Sequence, residues 1–142
     1  MAEKFLGFPY PIIKHPRGYF HTQFGIEQIK SDMLSLLLTD QGERVMMPNY
    51  GCSLNKFLFE PNDSVLINQI YETIAEQLSL FEPRVVIQQI DVNVAPDNEI
   101  FSNSTPLEER EQILLIRILF FDPEQIQEVE ELKLEVPLPT NI

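Results

Sequence analysis

Cysteine, histidine and tryptophan are nearly absent from this chain, which has one cysteine, two histidines and no tryptophan among its 142 residues. A single thiol cannot form an intramolecular disulfide, and a thiolate metal cluster would need ligands from another chain. His15 and His21 have no cysteine near them, and the few glycines are too scattered for a phosphate-binding loop. We therefore predict no metal and no cofactor, and we expect assembly in a reducing cytoplasm.

Basic residues are also scarce, since ten Lys and Arg stand against twenty-two Asp and Glu, for a net charge of −12. Nucleic-acid backbones are bound by clustered cations, so this composition disfavours direct nucleic-acid binding. The longest apolar runs, residues 113–116 and 118–121, are separated by Arg117 and are far too short to cross a bilayer. The first residues also lack the pattern of a secretory signal. We predict a protein that binds neither nucleic acid nor membrane.

What the chain does contain is the composition of a globular domain, with 44% hydrophobic and 23% charged residues in a length that suits one domain. Residues 1–22 hold prolines among aromatic residues, which blocks a helix and favours an extended arm. Apolar residues recur at helical spacing over residues 24–39 and again from Asp63, a predicted N-cap, to about Leu80. We divide the chain into this arm and a domain of residues 23–142.

The second half of the domain alternates with a period of two, which is typical of strands. One of these segments is apolar on both sides except at Arg117, so we predict that it is the central strand and is covered on both faces. A bulge is predicted at Gln88-Gln89. The expected fold is α+β, with two main helices packed on a small sheet of about three strands in a single domain. The predicted strands are residues 85–95, 112–121 and 132–136, with a short extra strand at 43–47.

Three segments, taken together and in this order, distinguish the sequence from that of a generic domain: Leu38–Gly51, Leu58–Pro61 and Phe81–Val85. Together they resemble the phage baseplate wedge family once labelled lysozyme-like, which also includes the TssE component of type VI secretion baseplates. The hallmark of that family is a Glu-Pro-Arg triplet between a helix and a strand, which here is Glu82-Pro83-Arg84. The resemblance covers approximately residues 20–138.

The resemblance implies a non-enzymatic, structural subunit in the baseplate of a virion tail or of a related contractile injection machine. Members of the family sit in the baseplate wedge, pack against its core and present strands on which the first ring of tail sheath assembles. The implied partners are other baseplate wedge proteins and the tail sheath protein, with no small-molecule substrate. Because a sheet edge can recruit a strand through main-chain hydrogen bonds, we predict partner binding at the last strand, which contains Leu132, Leu134 and Val136.

The Glu-Pro-Arg triplet is the second predicted partner-binding site. Pro83 stops the helix and fixes the direction of the chain, so Glu82 and Arg84 are expected to project from a nearly rigid corner. The guanidinium could then bind a carboxylate or helix-end carbonyls of a neighbouring subunit. The alternative is an internal pairing of Glu82 with Arg84 at a simple helix stop. The accompanying family segments favour the interface.

Six residues of the family segments are predicted to support the fold: Arg44, Pro48, Tyr50, Gly51, Phe59 and Pro61. Pro48 and Gly51 are expected to shape a tight turn. Tyr50 and Phe59 are expected to fill the core. The arginine is expected to reach a carboxylate inside the domain, such as Glu60 or Glu82.

Two other functions remain open at this point. Glycoside hydrolysis needs two carboxylates across a sugar-sized cleft, one of them with a raised pKa, and no spacing in the sequence sets such a pair apart, so no catalytic residue is assigned. An acidic adaptor would instead bind a basic partner through residues 60–142, where seventeen Asp and Glu stand against four Lys and Arg. Salt would then strongly weaken its affinity.

Overall fold

The computed structural model describes residues 6–60, 63–96, 112–124 and 128–138. Two helices and a three-stranded antiparallel sheet confirm the predicted α+β class. The sheet order is β1-β2-β3, which confirms the central position of the middle strand. The elements are α1 (Gly25–Leu38), a 3-10 helix (Leu54–Phe59), α2 (Ser64–Phe81), β1 (Val86–Pro96), β2 (Gln112–Phe121) and β3 (Glu130–Leu138).

Helix α2 begins and ends where the sequence predicts. The Oδ1 atom of Asp63 accepts a hydrogen bond from the amide of Leu66 at 2.9 Å, so the predicted N-cap is confirmed. At the other end, the amide of Glu82 donates to the carbonyl of Leu78 at 3.0 Å. Pro83 has no amide hydrogen to continue this pattern, so the chain leaves the helix there.

The hydrophobic core lies between the helices and one face of the sheet. Alternate residues of β2 are almost fully buried there, and burying each such side chain contributes roughly 1.5–3 kcal/mol. The opposite face holds Leu115, Leu119 and Phe121 only half-buried and Arg117 exposed, so the prediction that both faces of β2 are covered is wrong. The reason is that every sheet residue of the core comes from one face: on β2 these are Leu114, Ile116, Ile118 and Phe120.

The two outer strands differ in the regularity of their pairing. On β1 the register with β2 shifts between Ile87 and Gln89, which confirms the predicted bulge. The register of β3 with β2 runs without a shift from Glu130 to Leu138. Of the two outer strands, β3 therefore has the more regular pairing with β2.

The predicted strand at residues 43–47 is wrong, because this segment forms successive turns. The amide of Glu43 donates to the carbonyl of Asp40 at 3.1 Å, and the amide of Met47 donates to that of Arg44 at 3.3 Å. All five residues are exposed, and none of the described strands pairs with them. A run of apolar residues such as these becomes a strand only where a neighbouring strand and a core can receive it.

Gly51 allows this loop to approach the end of α1. Its φ is 118°, and a Cβ atom there would collide with the carbonyl of Thr39. We expect Gly51→Ala to lower the free energy of unfolding by more than ~1 kcal/mol, measured by urea denaturation. Gly42→Ala is the matched control, because Gly42 also has a positive φ, of 87°, but has open space where the Cβ would lie. Equal losses in the two variants would show that the contact with Thr39 is unimportant.

Cys52 is fully buried beside this loop, and burial raises the pKa of its thiol to about 12, although Lys56 opposes the shift. A thiol that is both buried and protonated reacts slowly with electrophiles. We expect iodoacetamide to alkylate Cys52 in urea but not in the native protein, as measured by mass spectrometry in mildly alkaline buffer. Fast alkylation of the native protein would contradict this burial.

The described part of the N-terminal arm, together with residues 23 and 24, forms a hairpin over residues 6–24 instead of the predicted extended segment. Gly7 and Gln23 exchange two backbone hydrogen bonds, each of 2.9 Å. This hairpin lies against α1, where the hydroxyl of Ser31 donates to Oε1 of Gln23 at 2.8 Å. Gly7 lies so close to the side chain of Gln28 that a Cβ atom would come within 2.6 Å of its Nε2 atom. The arm is therefore an ordered attachment to the helical layer.

Candidate partner-binding site

A cleft of about 240 Å³ lies beside the Glu-Pro-Arg corner. Helix α1, the loop that follows it and the junction between α2 and β1 all contribute to its walls. The lining residues are Asp32, Leu36, Arg44, Tyr50, Phe81, Glu82 and Arg84. Two of the three family segments, Leu38–Gly51 and Phe81–Val85, thus meet here beside α1.

Glu82 faces inward, so the expectation that its carboxylate projects from the corner is wrong. Its side chain is 3% exposed, and it receives two hydrogen bonds of 2.6 Å from Nε and Nη2 of Arg84. The same Nη2 atom reaches Oδ2 of Asp32 at 2.6 Å. A buried carboxylate is costly without a cation, and this pairing supplies one. The internal pairing considered as the alternative is therefore present.

Arg84 is held by this pairing yet still reaches the surface, because its side chain is 30% exposed. The hydrogen bond that Arg84 donates to Glu82 raises the pKa of Arg84 above its ordinary value; burial opposes the shift and Asp32 adds to it. Fork-like contact with a carboxylate also fixes the plane of the guanidinium. The corner consequently presents a guanidinium of fixed orientation beside exposed Pro83, with its charge balanced by the two carboxylates.

Arg44 stacks on an aromatic ring, and the prediction that it reaches a carboxylate is wrong for the described part of the chain. Its guanidinium carbon lies 4.4 Å from the ring centroid of Tyr50. That ring packs edge-on against Phe81, with centroids 5.1 Å apart, and Tyr50 is buried as predicted. Arg44 itself is exposed, so a second cation lines the cleft that contains Arg84.

The predicted tight turn is confirmed. The amide of Tyr50 donates to the carbonyl of Met47 at 3.2 Å around the turn at residues 48 and 49, and Gly51 follows with its positive φ. The side chain of Phe59 and the whole of Pro61 lie outside the described residues. Their supporting roles therefore stay predictions.

The apolar side chains of strand β3 face the core, so they are not available to a partner. Leu132 is buried, and Leu134 and Val136 pack against the core from the same side. One side of the strand pairs with β2, and no other described strand pairs with its outer side. Edge strands of this kind present alternating unpaired amides and carbonyls.

Side-chain contacts hold β3 in place on both faces of the sheet. The Nζ atom of Lys30 on α1 lies 2.7 Å from Oε2 of Glu130 at the start of the strand. On the open face, Glu131 contacts Arg117, and the Nζ atom of Lys133 lies 3.4 Å away. Burial acts to raise the pKa of Glu131, but the two cations outweigh it and lower that pKa. Each pair is partly exposed and adds little stability alone.

Two residues of this region were not predicted from the sequence. Asp32 lies 52 positions from Arg84 along the chain, and nothing in its local pattern distinguishes it from other charges on α1. Gln77 has a visible signal, because it is a polar residue on the apolar face of α2. Its buried Oε1 accepts the amide of Gly51 at 3.1 Å and so joins the turn to the helix.

Other kinds of site find little support in the described ranges. None of the helices there is long and apolar enough to cross a membrane. The same residues contain no group of three potential metal ligands. In the cleft, Glu82 and Asp32 both face Arg84, whereas the two carboxyl groups of a glycosidase flank an open sugar-binding site.

The fold is that of chains from contractile machines. A chain of the anti-feeding prophage baseplate, symmetrised six-fold, aligns with a TM-score of 0.65 and 22% identity, covering 85% of this chain and 90% of that one. A chain of the postcontracted pyocin R2 baseplate aligns with a TM-score of 0.50 and 20% identity, covering 89% and 97%. A Geobacter sulfurreducens protein, described only as a candidate tail lysozyme, aligns with a TM-score of 0.59 and 24% identity, covering 80% and 91%. At these identities the likeness is one of fold.

Sequence comparison is more specific. Baseplate wedge protein gp25 of Enterobacteria phage T4 is 27% identical over 112 residues, which span 79% of this chain and 75% of that protein. The baseplate wedge protein gp25 family matches residues 25–119, and this chain belongs to that family. It is therefore a subunit of the baseplate of a contractile tail, where it assembles with other baseplate proteins. The resemblance seen in the three sequence segments is confirmed.

Proposed function

We propose that this subunit initiates the tail sheath by accepting a strand of the sheath protein along the outer edge of β3, and that it binds the wedge core through the cleft at Arg84. The observation that carries the proposal is the outer side of β3, with which none of the described strands pairs in a sheet ordered β1-β2-β3. Both contacts use surfaces that remain accessible in the folded domain.

Strand addition suits the chemistry of β3. Over Glu130–Leu138 its side chains alternate between the core face and the open face, so an added strand would extend both faces at once. Apolar residues of that strand would continue the row formed by Leu132 and Leu134, and polar residues would lie beside Lys133. The edge of β1 is the poorer acceptor, because its bulge interrupts a regular ladder.

The cleft suits an acidic or carbonyl-rich partner surface. Arg44 and Arg84 both line it, and the guanidinium of Arg84 is already fixed in orientation by Glu82 and Asp32. A side chain that is held in place before binding loses less entropy when a partner arrives. We propose that a carboxylate or the carbonyl end of a helix in the wedge core binds here.

We propose that the subunit has no catalytic activity, although one structural relative is described as a candidate tail lysozyme. The pairing of Glu82 and Asp32 with Arg84 serves the fold and leaves no separate acid and base in the cleft. Purified protein should therefore not release sugars from peptidoglycan. Hydrolysis by the wild-type chain that disappears in Glu82→Gln would contradict this proposal.

Sheath assembly on baseplates that lack this subunit tests the main proposal. Adding back the wild-type protein should restore sheath-bearing particles, counted by electron microscopy. The requirement should persist at moderate salt, because strand pairing depends on backbone hydrogen bonds, whereas the acidic-adaptor alternative predicts a steep loss as salt rises. Sheath that grows equally well without the subunit would rule out an initiating role.

A further inference from the structure

The hairpin arm carries large apolar side chains that its own chain leaves uncovered. At the tip, Tyr19 is 80% exposed and Phe20 is 67% exposed. A cluster of exposed apolar residues on a soluble domain marks a contact surface. The family match begins at residue 25, so membership of the family does not account for this surface. The exposed residues are Leu6, Phe8, Tyr10, Ile12, Ile13, Tyr19, Phe20 and Phe24.

The arm also differs from the rest of the chain in charge. Residues 6–24 contain Lys14 and Arg17 and no carboxylate. Residues 25–142 contain seven Lys and Arg against twenty-one Asp and Glu, a net charge of −14. The arm is thus a basic, apolar segment attached to a strongly acidic body, and the body would repel other polyanions such as nucleic acid or an anionic membrane.

Backbone and ring contacts give the arm a defined shape before it meets a partner. Lys14 and Phe20 pair across the hairpin near its turn. Phe8 packs edge-on against Phe20 with ring centroids 5.9 Å apart, and His15 stacks on His21 at 6.1 Å. Preorganisation of this kind lowers the entropic cost of binding.

A groove of complementary chemistry lies between the 3-10 helix and α2. Its volume is about 470 Å³, and three carboxylates line it against one lysine. That lysine, Lys56, lies over the ring of Phe57 with its Nζ atom 4.8 Å from the centroid. The glutamates are exposed and accessible from solvent. The lining residues are Lys56, Phe57, Glu60, Gln69, Glu72, Thr73 and Glu76.

We propose that the arm of one copy of this chain binds the groove between the 3-10 helix and α2 of a second copy. Lys14 and Arg17 would lie near Glu72 and Glu76, while the aromatic tip covers the groove wall. Such a contact is head-to-tail: in a pair, one copy still has a free groove and the other a free arm, so further copies can add and a ring can close. This contact between copies goes beyond the proposed binding of sheath and wedge core.

Sedimentation equilibrium of the purified full chain at low salt tests the proposal. We expect association that increases with protein concentration and weakens with salt. Lys14→Glu combined with Arg17→Glu should weaken it at least ~10-fold, and Glu72→Lys combined with Glu76→Lys should do the same. An equimolar mixture of the two variants should associate again, because each arm then meets a groove of opposite charge.

Two further measurements locate the contact between the arm and the groove. Glu128→Lys with Glu135→Lys changes the charge by the same amount outside the groove, and it should leave association unchanged. A photoreactive phenylalanine at Tyr19, in mixed isotope-labelled and unlabelled protein, should link the arm to residues 60–76 of the other copy.

Several results would overturn the contact between copies. These are a monomer at every concentration, association that survives both charge reversals, a mixture that fails to recover, and cross-links to another part of the chain. Binding of phosphatidylglycerol vesicles or of a DNA duplex that is lost in the Lys14 and Arg17 variant would also overturn it, since the arm would then serve a different class of partner. Sheath assembly plays no part in these tests, so they stand apart from the proposed function.

Discussion

Replacing Arg84 by methionine should lower the free energy of unfolding by about 3 kcal/mol. The substitution leaves the carboxylate of Glu82, which is 3% exposed, buried without its cation. Asp32 contributes less to this loss, because its side chain is 39% exposed and stays hydrated. Urea denaturation followed by circular dichroism measures the effect.

The double variant Glu82→Gln with Arg84→Met is the control, since it removes the buried carboxylate together with its cation. We expect it to recover most of the stability lost in the single variant, because replacing a buried ion pair as a unit is often nearly neutral. An Arg84→Met protein as stable as the wild type would show that Glu82 does not depend on this pairing.

Arg84→Lys separates the role of this residue in the fold from its proposed role at the interface. The ammonium can still neutralise Glu82, so the fold should survive, but the two-pronged geometry of the guanidinium is lost. If the wedge core recognises that geometry, incorporation of the variant into baseplates should fall about tenfold while its unfolding curve changes little. Normal incorporation would restrict Arg84 to a structural role.

The parts of the fold that were predicted correctly are those whose signal is local. Helical spacing and the Asp63 cap placed α2, alternation placed the two outer strands together with the bulge before Gln89, and a continuous apolar run placed the middle strand. The incorrect strand at residues 43–47 had local apolar content but has no partner among the described strands, and pairing is a property of the whole sheet. The prediction that the second face of β2 is covered was wrong for the same reason, because coverage depends on where distant helices pack.

The candidate site shows the same division. The Glu-Pro-Arg triplet located the corner, since a proline after a helix has a local consequence that the sequence displays. The inward orientation of Glu82 depends on the burial of that position and on an arginine that also reaches Asp32, which lies on another helix. Nor could the sequence show that β3 lies at the edge of the described sheet, because edge position follows from strand order and not from composition.

Assembly of the sheath should protect every second backbone amide of β3 from hydrogen exchange. In an antiparallel edge strand, alternate residues direct their amides toward the neighbour, and the others point outward. The outward set of Glu130–Leu138 should exchange fast in the free subunit and slow by at least ~100-fold once a sheath strand pairs with it. Mass spectrometry with residue-level fragmentation measures this, and the outward amides of β1 serve as the internal control.

A proline placed at one of the fast-exchanging positions of β3 should then abolish initiation while leaving the domain folded. Proline removes a donor that only the incoming strand would use, so the ladder between β3 and β2 keeps its hydrogen bonds. Baseplates carrying this variant should still bind the subunit but form at least ~10-fold fewer sheaths, whereas a proline at an outward position of β1 should have no effect. Protection of β1 instead of β3 would contradict docking on β3, and so would normal sheath growth in the β3 proline variant. The reason is that the substitution removes a hydrogen bond only at the edge that pairs with the sheath, so either result would indicate docking on the edge of β1.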